Sequence, residues 1–142
     1  MHRQTSNHHE TIRKIENREM SMSTLEMFSP DIAREYGRKM LEIETRGNGD
    51  QMNALERVAR EVGMKPRALR RLINGETMPT LTVFGRLRAG YLNLCERRIK
   101  RLQHDLEVEK GRFGSDPFAD IDGRISALAE EVRRAKEATK RG

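Results

Sequence analysis

Between Leu55 and Gly75 the chain alternates five polar residues, Lys65, Arg67, Arg70, Arg71 and Asn74, with the apolar residues Leu69 and Leu72. Val58, Val62, Met64, Leu69 and Leu72 can converge on one core if the stretch forms two helices about a turn at Gly63, where a left-handed backbone suits glycine. Ala59 is small where the second helix must cross closely over the first. The cations and the amide are then left on the outer face. Four positive charges on one short helix are costly to bury and well suited to a groove lined by phosphates and base-edge acceptors.

No other cluster has chemistry of comparable definition. There is no Gly-rich phosphate loop leading into Lys-Ser or Lys-Thr, and no His pair at metal-ligand spacing. Cys95 has no evident His partner, and adjacent His8 and His9 have no second ligand set nearby. The carboxylates fall beside Lys and Arg on helix faces, the pattern of surface pairs. The expectation is a protein that is not an enzyme and that holds no metal and no cofactor.

The composition supports a binding role. The 142 residues carry a net charge of +6, and residues 52–101 alone hold twelve Lys or Arg against four Glu, a local +8. A basic excess confined to the middle third favours a polyanionic partner, although a solvated basic face is the simpler alternative. Hydrophobic and charged residues each make up 35%, without tryptophan, which suits thin helical packing and argues against a large sheet sandwich or a deep pocket. No apolar run is long enough for a membrane span, and the polar first 20 residues contain no evident secretory signal. A single cysteine precludes an internal disulfide and fits a reducing cytoplasm.

The elements that must position the cations read as helices throughout, an all-α fold. Residues 1–24 are polar and read as a flexible N-terminal arm, with Thr11–Met20 able to form a turn or two of helix and Met20, Met22 and Met27 as alternative starts. Ser29-Pro30-Asp31 opens a first helix with apolar positions Ile32, Tyr36, Met40 and Ile43, which stops at the Gly-rich Arg46–Asp50. A second helix runs from Gln51 to Val62 with Met52, Leu55, Val58, Ala59 and Val62 as its apolar face, and Asp50 as a possible cap. Pro66 opens the third, which Asn74-Gly75 ends. After Pro79 a long helix is expected over about Thr80–Lys110. Its first part has Leu81, Phe84, Leu87 and Tyr91 as apolar positions, followed by a heptad seam of Leu92, Cys95, Ile99, Leu102 and Leu106. Asp116-Pro117 starts the last helix, with Phe118, Ile121, Ile125, Leu128 and Val132 as its own seam and Gly123 as a weak point. Two seams joined by a short loop predict an antiparallel hairpin, each seam facing the other or a second copy of the chain. The domains expected are the arm at 1–24, a DNA-binding unit at 25–92 and a helical hairpin for oligomerisation at 93–142.

The stretch from Leu55 to Gly75 resembles a helix-turn-helix, and residues 30–92 are similar to the lambda-repressor-like (Cro/C1-type) DNA-binding family. The motif's alanine, turn glycine and flanking apolar residues are matched by Ala59, Gly63, Val58, Val62, Met64, Leu69 and Leu72. The family's continuation is matched by Gly75-Glu76-Thr77-Met78-Pro79-Thr80-Leu81. The chain departs from the family in three places. Arg46–Asp50 is unusually Gly-rich, Lys65 stands where a small hydroxyl residue commonly caps the recognition helix, and the helix after Pro79 is far longer.

The resemblance implies a recognition helix over Pro66–Asn74 that enters the major groove of double-stranded DNA. Lys65, Arg67, Arg70, Arg71 and Asn74 would be the candidates for base contact, arginine being favoured at guanine. Gln51, Asn53, Arg57, Arg60, Arg86 and Arg88 would be the phosphate-contact candidates. It further implies a sequence-specific bacterial or phage-type transcriptional regulator acting as a homodimer, cytoplasmic and nucleoid-associated. A second basic run, Arg97, Arg98, Lys100 and Arg101, either extends the footprint or solubilises the long helix. The alternative reading is a protein-interaction module, antiactivator-like or antitoxin-like, that uses the C-terminal hairpin.

Overall fold

The computed structural model describes residues 24–141, and the N-terminal arm through residue 23, with its possible helix and its histidines, lies outside them. Six α-helices and one 3₁₀ turn make up the described chain, with no strand among them. They are α1 (Thr24–Met27), α2 (Pro30–Glu44), α3 (Gln51–Val62), α4 (Pro66–Ile73), α5 (Leu81–Phe113) and, after the turn Asp116–Phe118, α6 (Ala119–Arg141). The fold is all-α. No helix among the described residues is long and apolar enough to cross a membrane.

Local chemistry sets the boundaries. Ser29 Oγ accepts from the Ile32 amide at 3.3 Å with Pro30 in the first turn of α2, and Thr80 Oγ1 accepts from the Val83 amide at 3.2 Å at the start of α5. Asp50 precedes α3 but does not cap it. Its carboxylate turns instead to Arg46, Asn53 and Arg57.

Packing forms two apolar clusters. The first joins α2 to α5 around the fully buried Phe84, Met40, Leu69 and Leu87, with Val58 nearly so. Phe28 meets Phe84 edge-on at 5.5 Å, and Tyr36 lies 5.2 Å from Tyr91. The second cluster lies between α5 and α6 and contains Ile99, Leu106 and Ile125, flanked by Phe118, Ala129 and Val132. The helix α5 runs through both without a break. The antiparallel register of α6 is marked by Lys110–Asp122 at 2.8 Å, Lys136–Glu96 at 2.7 Å and Arg88 Nε to Thr139 Oγ1 at 3.2 Å.

Several helices are rotated from the expected faces. On α2 the buried positions are Ala33, Gly37 and Met40, while Ile32 is exposed. Small residues let α2 approach closely, since a Cβ on Gly37 would stand 2.8 Å from Ile73 Cγ1. On α3 Ala54 is buried and Met52 is exposed, and Leu81 at the start of α5 is exposed as well. Within one chain the expected hairpin seam is only partly covered. Leu92, Ile99, Leu106 and Ile125 are buried, with Cys95 partly covered, but Leu102, Ile121 and Leu128 are exposed. The side of α5 that meets α6 includes Glu96 and Lys110, whose charges pair across the interface.

Candidate nucleic-acid interface

The turn between α3 and α4 is built by Gly63 at φ +68°, ψ +36°. The Met64 amide donates to the Ala59 carbonyl at 2.9 Å and the Gly63 amide to the Arg60 carbonyl at 3.4 Å, a Schellman closure that satisfies the last carbonyls of α3. Lys65 follows in extended conformation at the cap position of α4, without a side-chain cap bond, and Pro66 supplies the first turn. A second Schellman closure ends α4, with Gly75 and Glu76 amides donating to the Leu72 and Arg71 carbonyls at 3.1 and 2.9 Å.

Leu69 and Leu72 anchor α4 in the core. Arg67, Arg70, Arg71 and Asn74 occupy positions i, i+3, i+4 and i+7, so they form one exposed stripe on the side away from those leucines. Lys65 stands at the end of the helix, off this stripe. Arg70 and Arg71 lie in the last turn, where cations complement the helix dipole. The Arg71 guanidinium is 3.5 Å from the Glu76 carboxylate in an exposed pair, and Arg70 rests on the sulfur of Met52. That contact places the stripe beside the first turn of α3, with exposed Gln51 on the same end of the helix.

The other candidates divide. Arg86 reaches the Gly63 carbonyl at 3.5 Å, beside the turn that launches α4. The Asn53 amide donates to Asp50 at 3.3 Å. Arg60 borders a separate groove with Glu44, Arg57, Glu61 and Arg97. Arg57 is engaged inside the chain, donating to the Glu44 carbonyl at 2.6 Å and the Asp50 carboxylate at 2.7 Å, with the Glu44 carboxylate at 3.3 Å. These carboxylates raise its pKa, Asp50 contributing most, and the Arg46 amide together with Arg57 holds Asp50 below the ordinary carboxylate range. Arg57 thus ties the α2–α3 loop to α3. Arg88 is likewise occupied, donating to the Tyr36 hydroxyl at 2.7 Å and to Thr139. Neither guanidinium is presented with the α4 stripe.

Sequence reasoning missed Arg34. Its Nε donates to the Leu72 carbonyl at 3.3 Å, pinning the end of α4 to α2 across 38 residues, while its Nη1 pairs with Asp31 at 3.1 Å. Only the local Asp31–Arg34 spacing is visible in the sequence, and it suggests nothing more than a surface pair. The described residues contain no group of His, Cys, Asp and Glu able to hold a metal ion. No protein-family model matches the chain, and no curated protein or solved structure matches it either.

Proposed function

We propose that this chain binds double-stranded DNA sequence-specifically, with α4 in the major groove, as a dimeric transcriptional regulator of the cytoplasmic nucleoid. The observation that carries the reading is the α4 stripe, where three guanidinium groups and an amide face solvent on a helix anchored at both ends. Arginine forks match the O6 and N7 acceptors of guanine, and Asn74 suits an adenine edge or a phosphate. Lys65, Gln51 and Arg86 flank the stripe and are the backbone-contact candidates on the same surface. Arg57 and Arg88 are left out of the interface because their donors are used within the chain. One module makes few base contacts, so two modules on half-sites about 34 Å apart would supply the discrimination a regulator needs.

The test is a mobility-shift titration of the full chain on genomic fragments at two salt concentrations, with sequencing of the retained fragments. Enrichment of a two-fold symmetric site, with affinity that falls steeply as salt rises, is the expected result. Retention without enrichment would reduce the function to architectural binding. No retention at low salt would refute DNA binding and favour the protein-interaction reading, which the exposed Leu102 and Leu128 on the hairpin support.

A further inference from the structure

The hairpin carries an apolar face that the chain itself leaves open. Leu102 is 52% exposed and Leu128 48% exposed. Together with Tyr91, Cys95 and Ile43 they line an open groove of about 580 Å³ along one side of the α5–α6 pair. The buried Ile99 forms its floor.

The charges around the two leucines repeat. Arg98 stands four residues before Leu102 and Asp105 three after it, and Arg124 stands four before Leu128 and Glu131 three after it. Such positions share one side of a helix with the leucine. All four charged groups are exposed, and among the described residues none has an ion-pair or side-chain hydrogen-bond partner. The opposite flank of the hairpin is different. There Glu96 pairs with Lys100 and Lys136, Lys110 with Glu107 and Asp122, and Glu130 with Arg133. Charges are therefore neutralised within the chain on one side of the hairpin and left unpaired around the leucines on the other.

The antiparallel register sets the level of each charge. With Glu96 opposite Lys136 and Lys110 opposite Asp122, the Arg98 end of the face holds Glu131 on α6, and the Asp105 end holds Arg124. Of these four charges on the face, the positive one lies on α5 and the negative one on α6 at one end, and the reverse holds at the other, with Arg101 of the groove lining adding a further cation on α5 between them. A second copy can be laid on it face to face by either of two in-plane two-fold axes. One puts α5 antiparallel over α5, so that Arg98 meets Asp105 of the second copy and Arg124 meets Glu131. The other puts α5 over α6, so that Arg98 meets Glu131 and Arg124 meets Asp105. Both are attractive, so the face is self-complementary in charge as well as apolar at its centre, which is what an isologous interface requires.

We infer that the Leu102–Leu128 face is where a second copy of this chain docks, forming a two-fold four-helix layer from two hairpins. The inference names the surface for the dimer proposed above and rests on that part of the proposal alone. DNA recognition can fail and leave this face intact.

The test is sedimentation equilibrium of the full chain without DNA over micromolar concentrations, with DNA retention measured in parallel. The wild type is expected to dimerise. Leu102→Asn and Leu128→Asn should each weaken the dimer about tenfold or more while leaving helicity by circular dichroism unchanged, because both side chains are already half exposed in the monomer. Arg98→Glu should weaken it about three- to tenfold, and adding Asp105→Arg or Glu131→Arg should restore it, the restoring partner reporting which axis is used. A wild type that stays monomeric overturns the inference, as does a dimer indifferent to both leucine substitutions. A chain that dimerises only once residues 1–23 are removed also overturns it, because the arm would then be the occupant. Arg67→Ala should weaken specific DNA retention roughly five- to 150-fold with no change in sedimentation, which separates failure of the recognition helix from failure of this face.

Discussion

Gly90 and Gly123 both lie inside helices, and the structure predicts opposite signs for their replacement by alanine. Alanine at either site gains about 0.5–1 kcal/mol from reduced backbone freedom in the unfolded chain and better helix propensity. At Gly123 a Cβ would meet nothing within 4 Å, so Gly123→Ala should realise that gain in full. At Gly90 the added carbon would stand 2.8 Å from Val62 Cγ1, 3.4 Å from Glu61 Cγ and 3.6 Å from Met40 Sδ. Val62 is 2% exposed and Met40 is fully buried, and a valine has little rotamer freedom on a helix. Relief must come from separating α3 and α5, and overpacking of this kind costs about 1–3 kcal/mol. The net for Gly90→Ala is a loss of about 0–2.5 kcal/mol, and the two variants should differ by about 1–3 kcal/mol. Urea unfolding followed by circular dichroism measures this as a midpoint shift at constant slope. Should Gly90→Ala stabilise as much as Gly123→Ala, α3 and α5 do not cross at the described distance, and the placement of the α3–α4 unit on the long helix is wrong.

Three further outcomes follow from named contacts. Arg67→Ala and Arg70→Ala should each weaken specific DNA binding by about 1–3 kcal/mol in a competition shift assay, whereas Arg57→Met should lower the unfolding midpoint first, because its donors serve Glu44 and Asp50. Asp50 has a folded pKa below its ordinary 3.8, so its stabilisation is complete above that value and is lost as pH falls through the lower folded one. Asp50→Asn should therefore flatten the acid limb of a stability-versus-pH curve and leave its neutral-to-basic shape unchanged. Gly63→Ala places a Cβ on a residue at φ +68° and should cost about 1–2 kcal/mol, read by thermal unfolding. An unchanged melting temperature would exclude the left-handed turn.

The boundaries of the fold were legible because they are set by near neighbours in sequence. Ser29-Pro30, Gly63, Asn74-Gly75 and Pro79-Thr80 each determine a helix end through contacts a few residues long. The α4 stripe was legible for the same reason, since one helix face follows from spacing alone. Helix rotation was less so. Counting large apolar residues favours Ile32 and Met52, but the core selects Ala33, Gly37 and Ala54, because axes approach closely only where side chains are small. The work of Arg34 and Arg57 was hidden because their partners lie 38 and up to 13 residues away.

The hairpin seam, expected to face the other helix or a second copy, is divided in the structure, and the division carries information. A heptad step shows that a stripe is to be buried but not against what. On α5 that stripe contains both Ile99 and Leu106, which are buried against α6, and Leu102, which is half exposed. On α6 it contains Ile125, which is buried, and Ile121 and Leu128, which are exposed. One partner helix covers one side of such a stripe, and Glu96 and Lys110 complete that side by pairing across it. Each helix therefore retains apolar surface for a second neighbour, as helices in a four-helix bundle do. The described residues supply only two helices at this level, so a bundle needs two more from outside the hairpin. The unpaired Arg98, Asp105, Arg124 and Glu131 are arranged so that a second copy supplies them with opposite charge. The residues of the expected seam that the other helix leaves exposed are the ones that argue for the second copy.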